Sequence, residues 1–399
     1  MNKLGFGFLR LPRLEEKDPA SLDFSVINPM IDRFLAAGRT YFDTAYTYLD
    51  DASETGLKPA LVERYPRSVF WITSKLPSWK VEKEEDCRRY FQEQLERCGV
   101  DFFDGYLLHW LNAKNYAIAE KFHEFAFIQS LKEQGLVKKT GFSYHDGPEL
   151  LEEILQKHPE VDYVQLQINY LDWESPAIQA RACYEVAVRH GKPVIVMEPV
   201  KGGSLAAIPP EAEALLRQAH PDWTPADWAV RFAQSLPGVE VVLSGMNSLQ
   251  QMEDNLREAE PLTAEELALL EQAAEIIRKN TAIACTACNY CAPNCPKKIA
   301  IPKYFSVYNE YARSPGEGWK MGHSYRAITA ENGGPTDCIA CAPASVTVPR
   351  SCPSLNISSR SSRLLKDKSV LFPVKYTNSI QIAHKNGREN SLPLCFGCG

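Results

Sequence analysis

Short apolar runs alternate with longer amphipathic segments from Leu4 to about residue 260. Each short run is nearly continuous in apolar residues, which is typical of strands that are buried on both faces of a parallel sheet. The pattern predicts eight strands, which are LGFGFLRL from Leu4, TYFDTA from Thr40, VFWITSKL from Val69, FFDGYLLHW from Phe102, KKTGFSY from Lys138, DYVQLQINY from Asp162, PVIVMEPV from Pro193 and VEVVLSGM from Val239.

Segments with helical spacing lie between the predicted strands. In EKEEDCRRYFQEQLERCG, from Glu82, apolar or small residues recur three or four positions apart. The segment ESPAIQARACYEVAVRHG, from Glu174, has similar spacing and ends at Gly191, and glycine favours the position just after a helix. The segment PLTAEELALLEQAAEIIRKN, from Pro261, also predicts a helix.

The alternation of strands and helices sets the fold class. Eight β-α repeats in about 250 residues predict a closed (β/α)8 TIM barrel. An open doubly wound sheet is the alternative. A dinucleotide-binding sheet of that kind would carry G-x-G-x-x-G between its first strand and first helix, and this motif is not present there.

Composition and charge narrow the function classes. The 399 residues carry 44 Lys and Arg against 50 Asp and Glu, and no basic block stands out, so nucleic acid is not an expected partner. No run of about 18 apolar residues occurs, so we expect no membrane span. The first residues lack the apolar core of a secretory signal. We therefore expect a cytoplasmic protein.

The cysteines are concentrated near the C-terminus. Cys285, Cys288, Cys291 and Cys295 precede Pro296 in the spacing C-x2-C-x2-C-x3-C-P. Bacterial ferredoxins bind [4Fe–4S] clusters with thiolates at this spacing. Zinc is the alternative ligand, since thiolates also bind it, but the complete motif favours iron and sulfur.

A second cysteine run is incomplete. Cys338 and Cys341 begin it, but the next ligand positions hold Ala344 and Val348, and Cys352 comes four residues late. The sequence therefore predicts one [4Fe–4S] cluster and does not complete the ligands of a second.

These patterns divide the chain into three parts. Residues 1–280 are predicted to form the barrel, and residues 281–353 a small α-helical ferredoxin-like Fe–S domain. Scattered polar residues without periodicity predict that residues 354–399 form a disordered tail. We interpret the altered composition after Cys341 as the result of a shifted reading frame.

Reactive side chains end three successive predicted strands. Asp43, Lys75 and His109 end the second, third and fourth strands, and Tyr48 follows Asp43 by five positions. The C-terminal ends of barrel strands face the active site, so the four side chains should share one mouth. A tyrosine can protonate the oxygen of a carbonyl group that accepts hydride. We expect Lys75 to lower the pKa of Tyr48, and Asp43 to keep Lys75 charged.

The motifs that contain these residues resemble those of the aldo/keto reductase family over about residues 1–260. They are D-T-A-x-x-Y from Asp43 to Tyr48, T-S-K ending at Lys75, and LLH ending at His109. The chain is most similar to the subgroup with a C-terminal ferredoxin-like domain. This resemblance implies a TIM barrel, catalytic roles for Asp43, Tyr48, Lys75 and His109, and a nicotinamide cofactor bound without a Rossmann fold.

The resemblance also implies which residues contact the cofactor. Its nicotinamide would meet the strand end at Ser143, and its adenosine phosphate would meet the segment from Ser244 to Asn255. The implied contacts are Ser143, Gln165, Pro199, Lys201, Gly202, Gly245, Gln251 and Asn255. Gly245, Met246 and Gln251 stand where the family has basic residues for a 2′-phosphate, so the expected cofactor is NADPH or NADH.

Three functions fit these observations. The first is NAD(P)H-dependent reduction of an aldehyde or ketone, with a cysteine domain that transfers electrons or stabilises structure. The second is a nucleotide-binding, redox-sensing subunit, and the third is an electron-transfer subunit that acts with a redox partner protein. The presence of all four candidate catalytic residues favours the enzyme with a small carbonyl substrate.

Overall fold

The computed structural model describes residues 3–15, 18, 20–175, 178–257 and 260–281. Beyond these it describes residues 283, 285, 291–293, 295–313, 325, 328–329 and 331–339. The predicted tail 354–399 and the candidate ligands Cys288, Cys341 and Cys352 lie outside the described residues.

Eight parallel strands form a closed barrel in chain order. The strands are β1 Leu4–Gly7, β2 Tyr41–Asp43, β3 Trp71–Leu76, β4 Phe103–Leu111, β5 Val137–Tyr144, β6 Tyr163–Gln167, β7 Val194–Met197 and β8 Val239–Ser244. The last strand pairs with the first, with Leu4 opposite Val242. This closure confirms the predicted barrel and excludes the open sheet.

Helices connect the strands and follow the last of them along the chain. They are α1 Phe24–Ala36, α2 Ala52–Leu57, α3 Glu84–Cys98, α4 Ala113–Lys121, α5 Glu124–Glu133, α6 Pro148–Lys157, α7 Ala180–Arg189, α8 Pro210–Ala219, α9 Pro225–Ser235, α10 Leu249–Leu256, α11 Ala264–Lys279 and α12 Ile301–Arg313. In the part of the chain that the structure describes, no helix is both long enough and apolar enough to cross a membrane.

Helix ends follow the capping chemistry of the sequence. Helix α11 begins after Thr263, whose hydroxyl accepts a hydrogen bond from the Glu266 N–H, while the Glu266 carboxylate accepts one from the Thr263 N–H. Helix α7 starts only at Ala180, six residues after the predicted start, but Gly191 follows it with φ of 65° as expected.

Several strands end earlier than the apolar pattern predicts. Strand β1 stops at Gly7, and Phe8–Arg10 forms a 3-10 turn. Strand β7 stops at Met197 and not at Val200. The residues beyond these strand ends leave the sheet and form the rim of the barrel, so apolar sequence alone overestimates strand length here.

The barrel core consists of interlocking aromatic and aliphatic side chains. Phe6, Phe8, Phe34 and Phe42 are all fully buried, and Phe34 and Phe42 pack edge to face with ring centroids 5.2 Å apart. Four side chains from β4, β6, β7 and β8 form a second buried cluster, which consists of Leu107, Tyr163, Ile195 and Leu243. Both clusters belong to the barrel predicted from the sequence.

A small apolar cluster follows the first cysteine run. Ile299, Ala300 and Tyr304 are buried together, and Cys295 and Cys338 both pack against them. Residues from both cysteine runs therefore contact the start of α12.

The packing of β5 against β6 gives a stability prediction. A Cβ atom on Gly141 would lie 2.2 Å from the Tyr163 carbonyl oxygen, so Gly141→Ala must separate two paired strands. We expect it to lose at least about 2 kcal/mol of unfolding free energy, measured by urea denaturation. Gly7→Ala is the control, because its nearest new contact would be at 3.6 Å. Equal stability of the two variants would contradict this packing.

Candidate active site

A buried ion pair lies at the C-terminal end of the barrel. The Lys75 Nζ atom of β3 donates to Asp43 Oδ1 of β2 at 2.7 Å and to the Thr44 carbonyl at 2.8 Å. The Lys75 and Asp43 side chains are 0% and 3% exposed. Burial lowers the pKa of Lys75 and raises that of Asp43, whereas their mutual attraction opposes both shifts.

Tyr48 is the third member of this group. Its hydroxyl lies 3.1 Å from Lys75 Nζ. Burial raises the pKa of Tyr48 well above its usual value, and the Asp43 and Glu198 carboxylates raise it further. This direction corrects the expectation that Lys75 lowers it, because the sequence shows the lysine but neither the burial nor the second carboxylate. Tyr48 therefore keeps its proton at neutral pH.

An aromatic wall stands beside Tyr48. The rings of Tyr48 and His109 lie 5.7 Å apart, edge to face, and Trp79 packs against both His109 and Trp110. Burial lowers the pKa of His109 well below its usual value, and the Lys75 and His145 charges act in the same direction. His109 is therefore neutral, and its Nδ1 has no hydrogen-bond partner among the described residues.

An irregularity near the end of β4 orients His109 and Trp110 at the C-terminal end of the barrel. The register of β4 against β5 shifts between Leu108 and Leu111, and Trp110 has φ of 62°. The Trp110 N–H donates to the Ser143 hydroxyl at 2.8 Å. Such bulges reorient side chains at strand ends. Ser143, predicted to contact the cofactor, thus also supports the strand end that holds His109.

The strand ends enclose a cavity of about 1330 Å³. Pockets for drug-sized ligands span about 300–1000 Å³, so this one can hold an extended dinucleotide. Seven of the eight predicted cofactor contacts line it, together with all of the predicted catalytic residues except Lys75. The seven are Ser143, Gln165, Pro199, Gly202, Gly245, Gln251 and Asn255.

Gln165 joins the cavity to the ion pair. Its Nε2 lies 3.5 Å from Asp43 Oδ2, while its buried Oε1 has no hydrogen-bond partner among the described residues. An unpaired buried acceptor is costly, so this oxygen is ready to receive a donor from a ligand.

Lys201 is the eighth predicted contact, and the structure places it elsewhere. Its Nζ lies 2.6 Å from both carboxylate oxygens of Asp172, and it is not among the residues that line the cavity. The Asn169 side chain also donates to Asp172. The sequence indicates the position of Lys201 on the loop, but not the partner that holds it.

Arg10 lies in the cavity wall and was not predicted. A Cβ atom on Gly245 would be 3.2 Å from the Arg10 side chain, so the two residues are neighbours. Arg10 thus provides a cation beside the segment in which Gly245, Met246 and Gln251 replace basic residues. Only its place just after β1 could have indicated this position from the sequence.

Glu198 is a second functional candidate that sequence reasoning missed. It lines the cavity at the end of β7 with φ of 55°, and its buried Oε2 has no hydrogen-bond partner among the described residues. Burial raises the pKa of Glu198 to about 7, Asp172 adds to this effect, and Lys201 and Arg10 oppose it. A strained backbone beside an unpaired carboxylate is typical of functional sites.

The cysteine region reaches the same cavity. Pro293, between Cys291 and Cys295, lines it together with Tyr48 and His109. Cys291 is buried, and Cys285, Cys295 and Cys338 are partly exposed. Within the described residues, no three His, Cys, Asp or Glu side chains converge closely enough to hold a metal ion.

The sequence of this chain matches the profile of one protein family. The profile of the aldo/keto reductase family matches residues 3–275. An aldo-keto reductase of Mycolicibacterium smegmatis is 28% identical over 179 residues, which cover 44% of this chain and 59% of the relative. The 9,11-endoperoxide prostaglandin H2 reductase of Trypanosoma cruzi is 27% identical over 179 residues, which cover 44% and 56%. The match thus spans less than two thirds of these relatives' length.

Solved structures agree with the barrel. An aldo-keto reductase from Bacillus halodurans in its holo form is similar with a TM-score of 0.53 and 25% identity, over 68% of this chain and 91% of that chain. An aldo-keto reductase from Klebsiella pneumoniae in complex with NADPH is similar with a TM-score of 0.53 and 20% identity, over 68% and 90%. The latter likeness concerns the fold alone.

The raised pKa of Glu198 makes stability depend on pH. Its pKa is about 7 in the folded protein and about 4.3 in an unfolded chain, so the folded state holds an extra proton between these values. Stability is therefore lost as pH rises through this range. Glu198→Gln should lose less unfolding free energy than the wild type between pH 5 and pH 8, measured by urea denaturation.

The matched control is Glu211→Gln, which changes an exposed glutamate at the start of α8. This variant should lose as much stability over the same interval as the wild type. An unchanged pH dependence in Glu198→Gln would show that Glu198 does not hold the extra proton.

Proposed function

This chain belongs to the aldo/keto reductase family, and on that basis we propose that it reduces an aldehyde or ketone with hydride from NAD(P)H. One observation carries the proposal. The Lys75 ammonium is bonded to both the Asp43 carboxylate and the Tyr48 hydroxyl, and Tyr48 faces a cavity of about 1330 Å³. A proton donor, the residues that orient it and space for two ligands thus lie together.

The polar groups of the cavity suit a nicotinamide cofactor. The unpaired Oε1 of Gln165 can accept from the carboxamide of the nicotinamide, and the Ser143 hydroxyl can donate to it. When bound, the reduced nicotinamide supplies the hydride that adds to the carbonyl carbon. Pro199 and Gly202, which line the same cavity, would contact the cofactor along the loop after β7.

The phosphate groups of the cofactor would lie toward β8 and α10. The side chain of Ser248 caps the N-terminus of α10, and the Gln251 side chain accepts from the Asn247 N–H. Helix N-termini favour anions, and Arg10 adds a positive charge beside Gly245. This arrangement supports NADPH or NADH, and a basic side chain from another loop offsets the missing basic residues of the β8 segment.

The proton moves from Tyr48 to the substrate oxygen. Because burial raises the pKa of Tyr48, the hydroxyl is protonated and ready to donate when negative charge develops on the carbonyl oxygen. Lys75 then stabilises the tyrosinate that remains, and Asp43 holds the ammonium in place. His109 is neutral and lies beside the Tyr48 ring, so it can orient the same oxygen through a hydrogen bond without adding a charge.

We also propose a two-domain organisation, with a barrel at residues 1–280 and a ferredoxin-like domain at residues 281–353. Its support is the C-x2-C-x2-C-x3-C-P spacing and the apolar cluster that Cys295 and Cys338 share. Thiolates at this spacing suit a [4Fe–4S] cluster. The candidate ligands are Cys285, Cys288, Cys291, Cys295, Cys338, Cys341 and Cys352. A bound cluster would supply one-electron transfer to a redox partner protein, or structural stability.

Removing the Tyr48 hydroxyl tests its proposed role as the proton donor. Tyr48→Phe should bind NADPH as the wild type does, while turnover of simple aldehydes falls by about 10²–10⁴. Turnover is followed by NADPH absorbance and binding by NADPH fluorescence, and NADH is tested in parallel. Tyr46→Phe is the control, because the Tyr46 hydroxyl donates to Glu93 and is not among the residues that line the cavity.

The expected result for Tyr46→Phe is turnover close to that of the wild type. Full turnover in Tyr48→Phe would remove this tyrosine from the mechanism. A wild-type protein that binds NADPH but reduces no aldehyde or ketone would favour the redox-sensing alternative.

Iron content tests the second domain. We expect about four irons and four sulfides per chain in protein purified without oxygen, since the first run is complete and the second is not. Cys291→Ser should lower the iron content, whereas Cys183→Ser, in α7, should not. Zinc without sulfide, or about eight irons per chain, would contradict one [4Fe–4S] cluster.

A further inference from the structure

A second buried carboxylate lies behind Lys75, on the outer face of β3. Glu54 of α2 is fully buried. Its Oε1 accepts hydrogen bonds from the Ser74 hydroxyl at 2.5 Å and from Gln94 Nε2 at 2.6 Å. Ser74 is the strand neighbour of Lys75 and points to the opposite face, so the bond to Glu54 holds the backbone from which Lys75 extends.

Gln94 strengthens this connection. Its Nε2 also lies 3.1 Å from the Lys75 carbonyl oxygen and 2.8 Å from the Ser74 hydroxyl. Its Oε1 accepts from the Tyr106 hydroxyl at 2.6 Å. Glu54, Gln94 and Tyr106 thus belong to one buried polar network, which is bonded to the Ser74 side chain and, through Gln94, to the Lys75 carbonyl oxygen.

The charge of Glu54 is not needed for these bonds, because a neutral amide oxygen could accept them. Its Oε2 makes no hydrogen bond within the described residues, and it forms an ion pair with Arg97 Nη1 at 3.6 Å. Burying a carboxylate is costly unless charge compensates for it. Burial raises the pKa of Glu54, whereas its hydrogen bonds with Ser74 and Gln94 and the charges of Arg97 and Lys75 lower it. Lys75 is thus the compensating charge on the catalytic side. Burial lowers the pKa of Lys75, and both Asp43 and Glu54 oppose that shift.

We propose that Glu54 is a positioning residue for proton transfer at Tyr48. It fixes the β3 segment that carries Lys75, and its negative charge helps Asp43 to keep Lys75 protonated in a buried site. This inference rests on the proposed carbonyl reduction. Two carboxylates then stabilise the Lys75 ammonium, Asp43 from inside the barrel and Glu54 from outside it.

Other charged and titratable groups lie around Lys75 and Glu54. Asp43 and the Tyr48 hydroxyl are bonded to the Lys75 ammonium. The imidazoles of His109 and His145 also interact with its charge. Arg97 faces Glu54 from α3. Of these groups, Asp43 and Glu54 favour the charged form of Lys75.

The test compares Glu54→Gln with the wild type across pH. Glutamine keeps an acceptor for Ser74 and Gln94 but removes the charge. The basic limb of the kcat/KM profile should then move to lower pH by about one unit, the effect of a charge several ångströms away at an effective dielectric near 20. Glu54→Asp, which restores the charge, should return the limb toward its wild-type position.

Two further variants complete the test: one removes a different buried charge, and the other keeps the Glu54 carboxylate. Glu124→Gln changes another buried carboxylate that accepts a serine hydroxyl at 2.5 Å, from Ser78, and should leave the limb unmoved. Ser74→Ala keeps every charge but removes one donor from Glu54, which disfavours its ionisation. It should therefore shift the limb in the same direction by a smaller amount, and it tests the inference if Glu54→Gln does not fold.

The ionisation of Lys75 is also measured directly by NMR of lysine-labelled protein, with Lys75→Met to assign the signal. In Glu54→Gln the Lys75 signal should titrate at lower pH than in the wild type. An unchanged titration overturns this inference, whatever the turnover, because a purely structural Glu54 would alter stability alone. A shifted titration in a protein without carbonyl turnover would overturn the proposed function, and with it the role of Glu54 in proton transfer, but it would leave the effect of Glu54 on the charge of Lys75 established.

Discussion

The buried Lys75–Asp43 pair sets the conditions for the rest of the site. Removing one partner of such a pair leaves an uncompensated charge that costs about 3–5 kcal/mol. The surroundings supply further bonds, since the Thr44 carbonyl and the Tyr48 hydroxyl also contact the ammonium. The pair can therefore persist only where β2 and β3 are held in register, with Asp43 opposite Thr73. The closed barrel provides that register, and the position of Tyr48 beside Lys75 depends on it.

The barrel and much of the site could be predicted from the sequence. All eight strands were identified because strands buried on both faces have nearly continuous apolar residues. The shared position of Asp43, Lys75 and His109 followed from the rule that strand ends meet at one rim. Strand lengths were less accurate, because residues such as Phe8 are apolar and buried although they lie in a turn.

The unpredicted features depend on which partner a side chain meets in three dimensions. Lys201 was assigned to the cofactor, but its partner Asp172 lies 29 positions earlier, a distance that no local pattern indicates. The pKa of Tyr48 had the wrong expected direction, since burial cannot be read from an isolated motif. Glu54 has a polar side chain in a short helix, and only its complete burial distinguishes it from the exposed glutamates of the chain.

Because Pro293 lies in the cavity wall, the shape of the cavity and the spacing of the cysteines depend on the same segment. An insertion or deletion between Cys291 and Cys295 would change both the cysteine spacing and the shape of the space above Tyr48. An insertion or deletion that enlarges the cavity in this segment therefore also breaks the cysteine spacing, and the reverse holds as well. The rim loops of the barrel contain none of these cysteines, so a change of their length alters the cavity without this second effect.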